Sequence, residues 1–382
     1  MASTADPLLV RWGIAYFRAL SKKAGPVDAG DGVHFLNPDE RAALLRIERR
    51  AIVRAAIAGA LSTLVAAIAE VLALPLLGAD PDHASAGSSA RFWAIVAGAT
   101  ILASIIEILF LYWDGLRAVH ALSRAAGLDL FPTEDDDAAL AGAMARAALE
   151  LPNPTGRRHG VDPWREASRL RLVLASFVYK LKVSVTNFAV KALVRRMLGR
   201  AAVRTWLPFV AVPGTALWNA VVCWLIMREA RIRAMGPSAA HEMIGAVFAS
   251  ASPNDLDEET RRMAVRAVAC SIVRTEDMHP NLAAVLREVI ARAPLLDDAS
   301  ELDATDVFLA RLAALDGGRR RFVLRVLAVA SVIDGRLTRA EKALLVDARR
   351  TCGLDEDLSA VEGLRKAFLQ GNAVDPARIR AV

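Results

Sequence analysis

The chain is poor in the residues that build a covalent or metal-held scaffold. Its three cysteines, Cys223, Cys270 and Cys352, lie far apart and form no CxxC pair. That spacing excludes a disulfide framework and a structural zinc site, and it fits a reducing compartment. The six histidines are equally scattered. His241-Glu242 opens like the HExxH zinc motif, but position 245 is Gly and the second ligand is missing. No Gly-rich phosphate loop and no nucleophile–base pair is legible, so no enzyme class is indicated and no cofactor is expected. No segment alternates polar and apolar residues between turn signals, which excludes a sheet.

Long apolar runs are present instead. Ala55–Leu77 and Phe92–Trp113 are each long enough, at ~1.5 Å rise per residue, to cross a hydrocarbon layer of about 30 Å. Charged residues still make up 24% of the chain, so a water-exposed portion must carry them. Asn37-Pro38-Asp39-Glu40 is a helix start, with an N-cap, Pro at the first helical position and acids facing the dipole. Nothing breaks that helix before Pro75. Its first turns carry Arg41, Arg46, Arg49, Arg50 and Arg54, and Arg117 and Arg124 follow the second run. The loop between the runs holds Asp80 and Asp82 against one Arg. This bias places both hairpin ends in the cytoplasm and the loop outside. Small residues at four-residue spacing, Ala55/Gly59/Thr63 and Ala94/Gly98, are expected to let the two hairpin helices approach closely.

Each run contains one acid, Glu70 or Glu107. In an antiparallel hairpin they differ in depth by ~10 Å, so they share no proton or cation directly. Acids at such depths mark a polar path or contacts to further helices, or else are neutral space-fillers.

Basic residues concentrate in one block. Gly160–Met235 holds thirteen Lys/Arg against three acids, a net +10, with Lys180, Lys182, Lys191, Arg195, Arg196, Arg200 and Arg204 at its centre. Next to apolar segments, anionic lipid headgroups are the expected partner and nucleic acid is not. Within the block, Thr205–Met227 is long enough to span. Pro208 and Pro213-Gly214 are expected to break it, and Arg clusters flank both sides, so a re-entrant or helix-packed hairpin is expected. Arg11 and Arg18 interrupt the apolar run of Pro7–Leu20, but on a helix Leu8, Leu9, Trp12, Ala15, Tyr16 and Ala19 cluster on one side with the basic residues elsewhere, so it reads as an interfacial amphipathic helix, or one packed on the soluble part.

From Pro237 onward, Arg261–Val273, Leu282–Ala293, Ala304–Ala314, Arg319–Ile333 and Arg339–Cys352 carry apolar residues at helical steps. Thr338-x-x-Glu341 is a capping box. The stretch Leu327–Asp355, with Asp334-Gly335, Glu341 and Gly353-Leu354, resembles the TerB-like domain of tellurite resistance over roughly Leu256–Gln370. The resemblance implies an all-helical bundle and puts Asp334 and Glu341 forward as ligands of a divalent metal. Tyr179–Met235, with Val212-Pro213-Gly214, Asn219 and the ending at Met235-Gly236, is similar to the EcsC-like family. That similarity implies contact with membranes.

The expected fold is all-α, a membrane-embedded helical hairpin plus a cytoplasmic helical bundle. Five segments are expected: an amphipathic start (1–36), the long helix and hairpin (37–127), an acidic helix and linker (128–163), the basic region (164–236) and the TerB-like domain (237–382). The expected function is a non-enzymatic, membrane-anchored adaptor or stress-response protein in the inner membrane, both termini cytoplasmic. Self-association and an unidentified protein partner are part of that expectation. The alternative is a small transporter or pore subunit lined by Glu70 and Glu107.

Overall fold

The computed structural model describes residues 7–25, 27, 34–78, 85–131, 138–154, 156–157, 160–166, 207–252, 256–294 and 302–382. Among these every regular element is helical: α1 (Leu8–Ala24), α2 (Pro38–Ala73) with a 3-10 turn (Leu74–Leu77), α3 (Ala86–Ala125), α4 (Ala138–Ala148) and α5 (Leu207–Ala249). Then follow α6 (Glu258–Thr275), α7 (Pro280–Arg292), α8 (Thr305–Ala314), α9 (Gly317–Val332), α10 (Arg339–Thr351), α11 (Ser359–Leu369) and α12 (Pro376–Arg380). α2 with its turn, α3 and α5 are long and apolar enough to cross a membrane, with best-window mean hydropathies of 2.1, 2.4 and 1.2.

Local signals set the helix ends. Asn37 Oδ1 accepts from the Glu40 amide (2.9 Å) while Glu40 Oε2 accepts from the Asn37 amide (2.8 Å), so α2 begins with a reciprocal cap. α5 corrects the expected break at Pro213-Gly214. The helix runs continuously through both residues and through Pro237. The Thr215 hydroxyl lies 3.2 and 3.1 Å from the Ala211 and Val212 carbonyls, beside the point where Pro213 removes a ladder donor. Side-chain hydroxyls and packing neighbours are what make interior prolines tolerable in apolar helices. No turn forms there.

The described residues fall into two compact units. One is drawn from Met1–Leu44, Leu122–Ser168 and Glu229–Val382, the other from Leu45–Ala121 and Arg169–Arg228. The expected segments 1–36, 128–163 and 237–382 therefore belong to one body, and the expected border at 236/237 falls inside α5. Packing explains the difference. In the first unit α1 buries Val10, Ile14 and Phe17, with Ile14 and Val10 approaching Gly142 of α4. α6 buries a run from Met263 to Val273 and α9 a run from Phe322 to Val332. Each large apolar side chain buried in such a core contributes about 1.5–3 kcal/mol. The apolar side expected on α1 stays outward, with Leu8, Leu9 and Trp12 exposed, while a different face, Val10, Ile14 and Phe17, is buried.

Candidate functional site

In the hairpin unit, antiparallel pairing is set at one end by an ion pair, Arg54 Nε to Asp114, at 2.9 Å. Near the loop end, Phe92 and Val96 pack on Ala73, Leu74 and Leu77. The small residues of α2 serve a different neighbour from the one expected. A Cβ on Gly59 would meet Asn219 Nδ2 at 2.6 Å and the Thr215 carbonyl at 2.9 Å, and Thr63 Oγ1 lies 2.7 Å from Thr215 Oγ1. The close approach at Gly59 is thus with α5, while Gly98 meets nothing within 4 Å. Residue 219 sits opposite 59 and residue 215 opposite 63, so α5 runs antiparallel to α2 and reaches back toward the hairpin's loop end.

Asn219 Nδ2 donates to Glu107 Oε1 at 2.7 Å, and Glu107 is buried. The structure thus joins Glu107 to Asn219, not to Glu70. Glu70 is half-buried and lies about two turns past Ser62, off the wall of the cavity between α2 and α3. Among the described residues, α2 and α3 expose apolar side chains. Val53, Ile57, Leu61, Val65, Ile68 and Leu72 form an exposed row at three- and four-residue steps on α2. Trp93 and Trp113, both exposed, stand 20 residues apart on α3, roughly 30 Å. The basic residues Lys180, Lys182, Lys191, Arg195, Arg196, Arg200 and Arg204 lie outside the described residues.

In the other unit, polar groups from three segments, α5 itself, the start of α7 and the turn between α9 and α10, converge on Glu229 of α5. Arg233, one turn on, contacts its Oε1 at 2.9 Å; His279, the N-cap of α7, contacts the same oxygen at 2.9 Å; Arg336 contacts Oε2 at 3.3 Å. His279 Nδ1 accepts from the Asn281 amide (3.2 Å), which places the ring proton on Nε2, donated to Glu229. Burial by itself would raise the Glu229 carboxyl; the His279 hydrogen bond and the Arg233 and Arg336 charges instead hold it well below the usual carboxylate range. Asn281 Nδ2 donates to the Ile232 (2.9 Å) and Ile333 (2.8 Å) carbonyls.

Asp334 and Glu341 lie in the same unit, both buried. Asp334 Oδ1 accepts from the Arg336 amide at 2.8 Å. Glu341 Oε2 accepts from the Thr338 amide (2.9 Å) and Oε1 from the Ser271 hydroxyl (3.2 Å). Burial raises both carboxyls, and the Asp334 charge adds to the rise at Glu341. Gly335 between them adopts φ +72°, the left-handed conformation that ends α9, and a Cβ there would also strike Ile232. These oxygens are committed to backbone and hydroxyl donors, an arrangement of helix capping. Among the described residues no group of three or more His, Cys, Asp or Glu is placed to hold a metal ion.

The capping box is complete in both directions at Thr338. Thr338→Ala is expected to cost about 1 kcal/mol in urea unfolding of the full chain. A loss near zero would show that the box contributes nothing. Burial pushes the Cys270 thiol up to about 12, which makes it inert as a nucleophile at neutral pH.

Glu229, His279 and Arg336 carried no local sequence signal, because their partners are distant in the chain. Asp114 did carry one, a charge directly after the Trp113 end of an apolar run and level with Arg54 in any antiparallel hairpin. Compared with protein families, curated proteins and solved structures, the chain matches none.

Proposed function

We propose that the chain is a membrane-anchored, non-enzymatic adaptor that displays a TerB-like helical module at the cytoplasmic face of the inner membrane. One observation carries the anchoring: the described helices of the hairpin unit expose apolar side chains, with exposed tryptophans about one hydrocarbon thickness apart on α3. Isolated exposed apolar residues need no explanation, but a continuous belt of them does. α5 is a further span in this reading, parallel to α3, and because α3 ends on the cytoplasmic side while α5 begins on the outer side, the reading requires the chain to cross the layer once more between them. Its register against Gly59 and Thr63 carries it through the same layer as the hairpin.

Orientation follows from charge. The helix ends that continue into the other unit carry Arg46, Arg49, Arg50 and Arg54 on α2, Arg117 and Arg124 on α3, and Arg228 and Arg231 on α5. Arg-rich ends stay in the cytoplasm. The exposed Leu8, Leu9 and Trp12 of α1, with Lys22 and Lys23 at its end, suit contact with anionic headgroups. The EcsC-like similarity of the central region agrees with such contact, and self-association and a protein partner belong to the adaptor role. The Glu229 cluster and the caps at Asp334 and Glu341 engage their polar groups in holding helices together, which supports a scaffold over a catalyst.

Single-cysteine labelling in intact cells, with the three native cysteines replaced, tests the topology. Positions 85 and 209 are expected to react with an impermeant reagent and positions 124 and 231 to be shielded. Labelling at 124 would overturn the orientation. Shielding at 209 would return α5 to a helix that enters and leaves on one side.

A further inference from the structure

The space between α2 and α3 is unfilled by protein. A cavity of about 480 Å³ runs from Arg54 to Val65 on α2 and from Phe110 back to Ala99 on α3. Eleven residue steps along either helix make it about 16 Å long, and its volume falls in the range of small-molecule sites. Leu61 and Leu102 form apolar lips, 55% and 60% exposed. Such a slot would by itself accept any apolar chain. Two polar groups in its wall narrow the choice.

The first is Ser62, which is 6% exposed and lines the slot, and whose hydroxyl has no hydrogen-bond partner among the described residues. A buried polar atom left unpaired costs about 1–3 kcal/mol, so it implies a missing partner. The second is Glu107, 4% exposed, which lines the same slot and, among the described residues, is engaged at Oε1 by Asn219. The Arg54–Asp114 pair sets the register. Ser62 is eight residues on from Arg54 and Glu107 seven back from Asp114, so they stand at one level, about 11–12 Å along the slot. The lining cation, Arg54, is at the far end and already paired with Asp114.

We infer that this slot binds a lipophilic amine, its ammonium donating to Glu107 and Ser62 and its apolar body lying along Leu61 and Leu102. An ammonium supplies donors to two acceptors at once and complements the one acid in the slot wall. An anionic lipid would place its charge beside Glu107, and a neutral chain would leave Ser62 unpaired. Acids within apolar layers serve as counter-ions to bound ligands for the same reason.

The test uses the full chain in phosphatidylcholine nanodiscs, titrated calorimetrically with dodecylammonium, dodecanol and dodecanoate. Saturable binding of dodecylammonium alone is expected, at least tenfold weaker in Glu107→Gln and severalfold weaker in Ser62→Ala. Glu107→Gln keeps an acceptor for Asn219, and its helicity by circular dichroism shows that it folds. Leu102→Trp, which fills the slot without touching either polar group, should also abolish binding. Equal uptake of dodecanol, or uptake unchanged in Glu107→Gln, would reduce the effect to partitioning and overturn the inference. Preference for dodecanoate would move the site to the Arg54 end and overturn it too. If Leu102→Trp instead changes the oligomeric state, a second copy of the chain occupies the slot and the inference fails.

Discussion

Gly236→Ala is expected to destabilise the unit built around α5–α11 by about 3–5 kcal/mol. Gly236 lies in α5 where Asn281 is packed against it, and an added Cβ would meet Asn281 Oδ1, Cγ and Nδ2 at 2.0, 2.1 and 2.4 Å. Asn281 is fully buried and has nowhere to move. Its amide group joins the Ile232 carbonyl of α5 to the Ile333 carbonyl at the end of α9, within 2.9 Å of each. Forcing it aside adds overpacking of about 1–3 kcal/mol to the cost of leaving the Ile333 carbonyl unpaired. Urea unfolding of the full chain in detergent, with hydrogen exchange followed in α7 and α9, measures the loss. Gly363→Ala is the control, since nothing lies within 4 Å of that position and alanine favours a helix. In an Asn281→Ala background the Gly236→Ala penalty should largely vanish, because the clash and the bonds disappear together. A penalty that persists there would place the strain elsewhere in α5.

Periodicity and caps made most of the helices legible. The start at Asn37 and the C-terminal helices from α6 to α10 follow from local chemistry, and local chemistry forms in the chain itself. The course of α5 was not legible. Pro213-Gly214 reads as a break when each residue is taken alone, yet the Thr215 hydroxyl and the contact with Gly59 hold the helix through it. The grouping into two compact units was hidden for a related reason. The apolar stretches end before the helices do, and their last turns bury against elements far away in sequence. For the candidate site, Glu107 and Asn219 were visible as polar residues in apolar runs, whereas their pairing depends on the register of α5 against the hairpin. Glu229 was one acid in a basic block. Only tertiary structure brings His279, Arg233 and Arg336 to it.

Glu229 should therefore dominate the acid side of stability in that unit, and Glu341 the alkaline side. The Glu229 carboxyl is depressed in the folded state, so its contribution is complete above the ordinary carboxylate range and is lost as pH falls through that range toward the depressed value. Glu341 has the opposite sign. Burial, with the Asp334 charge next, pushes it up to about 8. Its contribution is complete below the ordinary carboxylate range and is lost as pH rises from there to about 8. Stability of the full chain in detergent should peak near pH 5, at about the upper edge of the ordinary carboxylate range, and fall on both sides. Glu229→Gln is expected to cost about 3–5 kcal/mol at pH 7, because it leaves the Arg233 guanidinium, 6% exposed, without its carboxylate. Arg336 contributes little to that figure, being half exposed. The variant should also lose the acid limb. Glu341→Gln keeps an acceptor for the Thr338 amide, as glutamine does in a capping box, and removes the charge that burial opposes. It should flatten the profile between pH 5 and 8 and make the protein more stable than wild type at pH 8. Urea midpoints across pH 3–9 for the three proteins decide it. An unchanged alkaline limb in Glu341→Gln would show that this carboxyl is charged in the fold at little cost, and that the cluster is held by something other than the opposition of its two acids.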